Sequence, residues 1–315
     1  MELEVKKKKM TKRRKKELIF IIVLLAYPVA QFLLTWIFVN SYSIILSFQR
    51  ISIEGDVSFA KLDNFIYVIK RIFDPNLGAV TINGDIRIPN NLLVIINSLG
   101  YGFITIFISL PLALIASYFL SKKMPLANLF RVIFFLPNII SVVALVYAFR
   151  MQLDSNSGLV FHLLEFFGIT VEAATWPGTT IIVYLYCIWA GIGYNVLLFS
   201  GAIGRVPSEL FESAQMDGAG NFKQFTGIMI PMIWPTVVTM IVLGMTSILT
   251  LYLQPVLFEY HYTETIAGTI FNGVADGKTQ YPIYSAFGLL FSFILAPAIL
   301  YIRKLISKKF SDTDC

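Results

Sequence analysis

Apolar runs in this chain are long and the polar runs between them short. Charge-free stretches extend from Leu18 to Gln49, Ile88 to Ser121, Val132 to Phe149, Ala173 to Gly204, Gln224 to Phe258 and Thr279 to Ile302. A helix needs about 20 apolar residues to cross a bilayer, so each stretch has room for one crossing and none for two with a loop. The pattern predicts six transmembrane helices and an all-α integral membrane protein.

One polar interval differs from the others, the segment PSELFESAQMDGAGNFKQFTGIMIPMIWP from Pro207 to Pro235. Pro207 suits a first helical turn, and Ser208, Glu209 and Glu212 bring oxygens and negative charge to the positive end of a helix dipole. At 100° per residue Leu210, Phe211 and Ala214 share one side and the two glutamates the other. Gly218 and Gly220 allow positive φ, and Asn221 is placed to cap a second helix with Phe222, Phe225 and Met229 on one face. A bent helix pair is the expectation. An amphipathic connector lying on the membrane surface would share the periodicity but leave the glycine turn unexplained.

Composition agrees with membrane insertion: 57% of residues are hydrophobic and 14% charged, against about a quarter charged in soluble proteins. With both ends inside, the loops on that side carry 18 of the 25 Lys and Arg residues, so the positive-inside rule predicts cytoplasmic termini and a cytoplasmic Pro207 loop. The expected organisation is a basic cytoplasmic tail over 1–17, a transmembrane domain over 18–305 with an external loop at 50–87 and a polar loop at 205–231, and a cytoplasmic tail over 306–315. The Lys6 to Lys16 run reads as a topology determinant near anionic lipid rather than a nucleic-acid arm. No signal peptide is expected before Leu18, whose apolar stretch is long enough to remain as an anchor.

Within the polar interval Glu212-Ser213-Ala214, three residues, Gly218, nine residues, then Ile228, Met229, Ile230 and Pro231 resemble the EAA loop of binding-protein-dependent ABC importer permeases. That pattern is Glu-Ala-Ala, three residues, Gly, nine residues, Ile, any residue, Leu-Pro; Ser213 and Ile230 depart from it conservatively. Two further stretches resemble the carbohydrate, maltose-permease-like branch: Lys61-Leu62-Asp63-Asn64-Phe65, and Arg131 ahead of Phe135-Leu136-Pro137. The resemblance implies a MetI-like, type I importer permease in a bacterial inner membrane, taking up a sugar or oligosaccharide. It implies as partners a second permease, expected to be a different chain with a second copy of this one as the alternative, two ABC ATPase subunits and an extracellular solute-binding protein. ATP and Mg would sit on the ATPases, with no cofactor in this chain. It also implies ATPase coupling through Glu212, Ser213, Ala214, Asp217, Gly218, Ile228 and Pro231.

For the solute path the residues themselves offer Tyr186, Trp189, Tyr194 and Asn195 in the fourth stretch and Thr250 and Gln254 in the fifth. Polar groups in hydrocarbon face a bundle or a wet cavity. Interfacial aromatics and helix-packing hydrogen bonds account for any one of them equally well. Asn272 to Thr279 (NGVADGKT) imitates a phosphate loop, but its first glycine is one place late and no strand precedes it, so the chain reads as a non-enzyme without its own nucleotide site. Cys187, Cys315, His162 and His261 are too far apart for a disulfide framework or metal spacing. A secondary transporter would carry ionisable groups at mid-membrane, and an intramembrane enzyme a nucleophile with its base. The six stretches hold neither. A structural membrane subunit leaves the Pro207 loop unaccounted for.

Overall fold

The computed structural model describes residues 12–82, 86–122, 124–155, 158–168, 180–259 and 262–308; His261, Cys315, Pro177 and most of the basic tail lie outside them. In chain order the helices are α1 (Lys12–Ser47), α2 (Asp63–Phe73), α3 (Asn90–Ser121), α4 (Ala127–Ile139), α5 (Val142–Leu153), α6 (Leu159–Phe166), α7 (Thr180–Ile203), α8 (Ser208–Met216), α9 (Asn221–Met232), α10 (Trp234–Thr250), α11 (Leu253–Phe258), α12 (Ile266–Ala275) and α13 (Tyr281–Ser307). Two small antiparallel hairpins, β1 (Gln49–Ile51) with β2 (Val57–Phe59) and β3 (Ala79–Ile82) with β4 (Ile86–Pro89), lie between α1 and α3.

Four helices among the described residues are long and apolar enough to cross a membrane on their own. Two more passages are bent pairs, α4 with α5 at 100° and α9 with α10 at 78°. The third apolar stretch is therefore not the straight crossing that its sequence predicts. Pro137 removes an N–H near the end of α4, and Ile140 and Ser141 then adopt extended ψ of 144° and 129°, turning the chain aside. Proline shapes two other places in a subtler way. Pro111 and Pro231 each stand two residues beyond a π-helical turn, Thr105–Ser109 and Phe225–Met229. A widened turn accommodates a ring that would strike the carbonyl four residues back.

Three apolar clusters hold the bundle. Leu110, Tyr118, Phe199, Met229 and Met240 join α3, α7, α9 and α10 at the end bearing the polar loop. Tyr101, Val146, Tyr186 and Phe258 join α3, α5, α7 and α11 towards the opposite end. Val68, Val94, Ile266 and Phe287 tie α2 and α12 to α3 and α13. By contrast α1 buries only Leu46 and Ser47 and packs mainly along α13, leaving its apolar sides open to lipid or a neighbour.

The junction after α1 shows what the Lys61 to Phe65 stretch does. Buried Asn64 donates from Nδ2 to the carbonyls of Ser47 and Gln49 at 2.8 and 2.7 Å, and Phe65 meets Phe48 at 5.4 Å between ring centres. Its role is a staple between α2 and the end of α1, not a solvated loop. Arg131 likewise does more than anchor an interface: its guanidinium donates to Leu120 O at the end of α3 and to Asn128 Oδ1, at 3.2 and 3.1 Å.

Candidate functional site

The polar loop starts at Pro207, which precedes α8 as its N-cap with φ −57° and ψ 130° and makes no side-chain cap. The end of α8 is a Schellman stop. Ala219 N donates to Ala214 O at 2.9 Å, Gly218 N donates to Gln215 O at 3.1 Å, and Gly218 sits at φ +76°. The interval from Ala214 to Gly218 is thus the spacing from the third-last helical residue to the left-handed residue that ends the helix. Gly220 does not share this conformation: at φ −66° and ψ 168° it is extended, and it, rather than Asn221, is the N-cap of α9.

Asn221 is used elsewhere because Lys122, at the end of α3, reaches it first. Lys122 Nζ donates to Asn221 Oδ1 and, at 3.2 Å, to Gln224 Oε1, and it lies 4.8 Å from the Tyr118 ring centre. Tyr118 OH donates to Asn221 O at 3.0 Å, and buried Gln224 donates from Nε2 to Ala219 O at 2.7 Å. This clamp hangs the loop from α3, while Phe211, Phe225 and Ile230 pack into the apolar cluster and Met229 is fully buried. Ala214 and Ile228 are half-buried, and Pro231 follows the π turn. Glu209, Glu212, Ser213 and Asp217 stay exposed, next to Met216 and Phe222, which are 86% and 79% exposed. Large apolar side chains left in water beside carboxylates make this surface suited to a partner.

A second feature is a cavity of about 360 Å³ among α3, α4, α5, α7, α10 and α11. Tyr186, Tyr194, Asn195 and Gln254, four of the six solute-path candidates, line it. Two predicted residues do not. Trp189 is half exposed and lies against Phe149, stacked at 6.1 Å between ring centres, and Thr250 spends its hydroxyl on Thr246 O at 3.1 Å. In their place the fold brings Tyr101, Thr105, Ser109, Asn138 and Ser247. The π turn ahead of Pro111 supplies Thr105 and Ser109, so the proline is the sequence signal that could have pointed to them. Tyr101 is 1% exposed and its hydroxyl has no hydrogen-bond partner. Behind the cavity α4 and α7 touch at Gly193, where a Cβ would overlap Phe134 O, and Asn138 Nδ2 donates to Ala190 O at 3.1 Å. Among the described residues no three His, Cys, Asp or Glu side chains form a metal-binding group.

Fold and sites together define a polytopic helical membrane protein with a partly polar-lined cavity among its helices and a clamped polar loop at one end. Residues 109–311 match the family described as "Binding-protein-dependent transport system inner membrane component", and the chain belongs to that family. It is 31% identical over 130 residues to the probable ABC transporter permease protein YurN of Bacillus subtilis, covering 40% of this chain and 44% of YurN. It is 28% identical over 219 residues to the arabinooligosaccharides transport system permease protein AraP of the same organism, covering 66% of this chain and 63% of AraP. The matched segments thus span about half to under two thirds of these curated relatives. In fold it is similar to a chain of a bacterial ABC transporter involved in import of the acidic polysaccharide alginate. That match has a TM-score of 0.75 and 19% identity, and covers 95% of this chain and 98% of the other.

Proposed function

We propose that this chain is one permease subunit of an ABC importer that takes up a sugar or oligosaccharide handed over by an extracellular solute-binding protein. ATP and Mg belong to two separate ATPase subunits, the chain has no nucleotide site of its own, and a second permease completes the passage. Both termini and the α8 loop are cytoplasmic, which puts the hairpins, α2 and α12 outside. The observation that carries this reading is the Schellman-stopped α8, whose Glu212 is exposed while its Phe211 packs into the bundle and the chain that follows it is clamped through Asn221 to α3. Force applied to α8 by an ATPase would pass directly into helices that line the cavity. The matched family and AraP support the transport class and the saccharide.

The test is Glu212→Lys, which inverts the charge at the exposed face without touching the clamp. The permease should insert normally while the ATPase subunits are lost on purification or hydrolyse ATP without transport. An intact complex with normal transport would remove α8 as the docking element. Purified alone, the chain should not transport, and it should co-purify with a second, different permease; a transport-competent single subunit refutes the assembly.

A further inference from the structure

We infer, resting on the transport reading above, that the solute is uncharged: a neutral saccharide rather than a uronate, a sugar phosphate or a cation. Neither Asp, Glu, Lys, Arg nor His lines the cavity of about 360 Å³ among the described residues. A carboxylate, phosphate or ammonium stripped of water without a counter-charge pays several kcal/mol, which hydrogen bonds to neutral groups only partly return.

The committed hydrogen bonds sharpen the assignment. Thr105 donates its hydroxyl hydrogen to Tyr101 O at 2.8 Å, and Ser247 donates to Gly244 O at 2.6 Å. Both therefore present lone pairs to the cavity. An anion only accepts, so it would meet those lone pairs unpaired, whereas a sugar hydroxyl donates to them. The carboxamides of Asn195 and Gln254 supply both donors and acceptors, and the Tyr101 hydroxyl is buried in the wall without a partner. The ring of Tyr194, which is exposed, offers an apolar face for the C–H side of a pyranose, and Tyr186 is buried in the wall among other rings. The nearest charges lie across α11: Arg150 donates to Glu259 at 3.1 Å and to Leu257 O at 2.9 Å, and a larger cavity on that side is lined by Glu259 and Glu264.

Sign symmetry tests the inference. The complete complex, reconstituted in proteoliposomes with its binding protein, is assayed as parent, Gln254→Glu and Gln254→Lys, with uptake expressed per folded permease. For an uncharged solute both variants should lose uptake by a similar factor, about tenfold, because either added charge must shed water as solute passes. Responses of opposite direction, one variant near parental and the other blocked, overturn the uncharged solute while leaving ATP-driven import in place. Parental uptake in both variants removes the cavity from the path and overturns the inference with it. Competition supplies an independent arm. Neutral oligosaccharides should compete in the parent, and preferred uptake of a uronate oligomer or a sugar phosphate sinks the assignment. Absence of any ATP-dependent uptake by the assembled parent would instead count against the transport reading.

Discussion

The α8 loop and the in-span cavity are opposite kinds of construction. The loop's own hydrogen bonds join near neighbours: its helix stop spans Ala214 to Ala219 and its second brace is Gln224 onto Ala219, while the clamp from Tyr118 and Lys122 and the packing of Phe211 and Phe225 tie it to distant helices. The cavity gathers Tyr101, Asn138, Asn195 and Gln254 from helices far apart in sequence. A short-range motif carries its geometry in residue spacing. A cavity carries it in how helices cross, and the crossings here depend on proline bends and on glycines at contact points.

The first way to break this contrast is at a crossing. In Gly193→Ala the new Cβ meets Phe134 O, a backbone atom that moves only if α4 moves. Overpacking of this kind costs ~1–3 kcal/mol or more, enough to change the folded-to-unfolded ratio by about fivefold to more than a hundredfold. Monodisperse protein after detergent extraction should fall accordingly. Gly201→Ala, on the same helix with nothing within 4 Å of its Cβ, should extract at least as well as the parent. Equal yields of the two variants would show that the α4–α7 contact is not tight.

The loop breaks differently. Gly218→Val places a β-branched side chain at φ +76°, a strain of ~1–3 kcal/mol. The variant should fold and insert but lose its ATPases or transport. Gly220 sits at φ −66°, so Gly220→Ala should transport like the parent. A Gly220 variant as damaged as the Gly218 variant would restore the paired-glycine turn expected from the sequence alone.

This pair of glycines shows what the sequence could and could not disclose. Gly218 was legible because a helix stop fixes its distance from Ala214. Gly220 and Asn221 were misread because the competing partner, Lys122, lies about a hundred residues earlier, and no local rule sees it. Six apolar passages were legible from length and charge alone, whereas the 100° turn at Ile140 was hidden in a run that stays apolar throughout. Asking for polar groups in apolar stretches picked six solute-path candidates, of which the fold brings four together at one cavity. Trp189 and Thr250 satisfied the same rule but stand on exposed sides of α7 and α10, outside the cavity lining. Tyr101 was passed over because the two tyrosines of the second stretch, Tyr101 and Tyr118, stand apart, with no polar-aromatic run around either to mark it.

A milder change sharpens the link between the two regions. Lys122→Met with Tyr118→Phe removes the hydrogen bonds that hang the loop from α3 while keeping the apolar contacts with Phe225. At ~0.5–1.5 kcal/mol for each bond, the assembled complex should still form and still hydrolyse ATP. Solute moved per ATP should drop by roughly two- to tenfold. Unchanged stoichiometry would mean that the Phe211 and Phe225 packing alone carries motion into the bundle.

The smallest expected effect is the most diagnostic for the cavity. Tyr101→Phe deletes one oxygen from a fully buried ring whose hydroxyl has no partner. An unsatisfied buried hydroxyl costs ~1–3 kcal/mol, so its removal should raise thermal stability in detergent. If that hydroxyl meets solute during passage, the same change removes a donor there, and uptake per folded permease should fall by roughly two- to tenfold for the loss of one bond. A purely structural tyrosine gives no such opposition, because stability and uptake would rise or stay level together. Thr250→Ala supplies the control: its hydroxyl is bonded to Thr246 O away from the cavity, so neither quantity should move beyond error. Raised stability with parental uptake in Tyr101→Phe would place the passage on the other side of α3 from Tyr101.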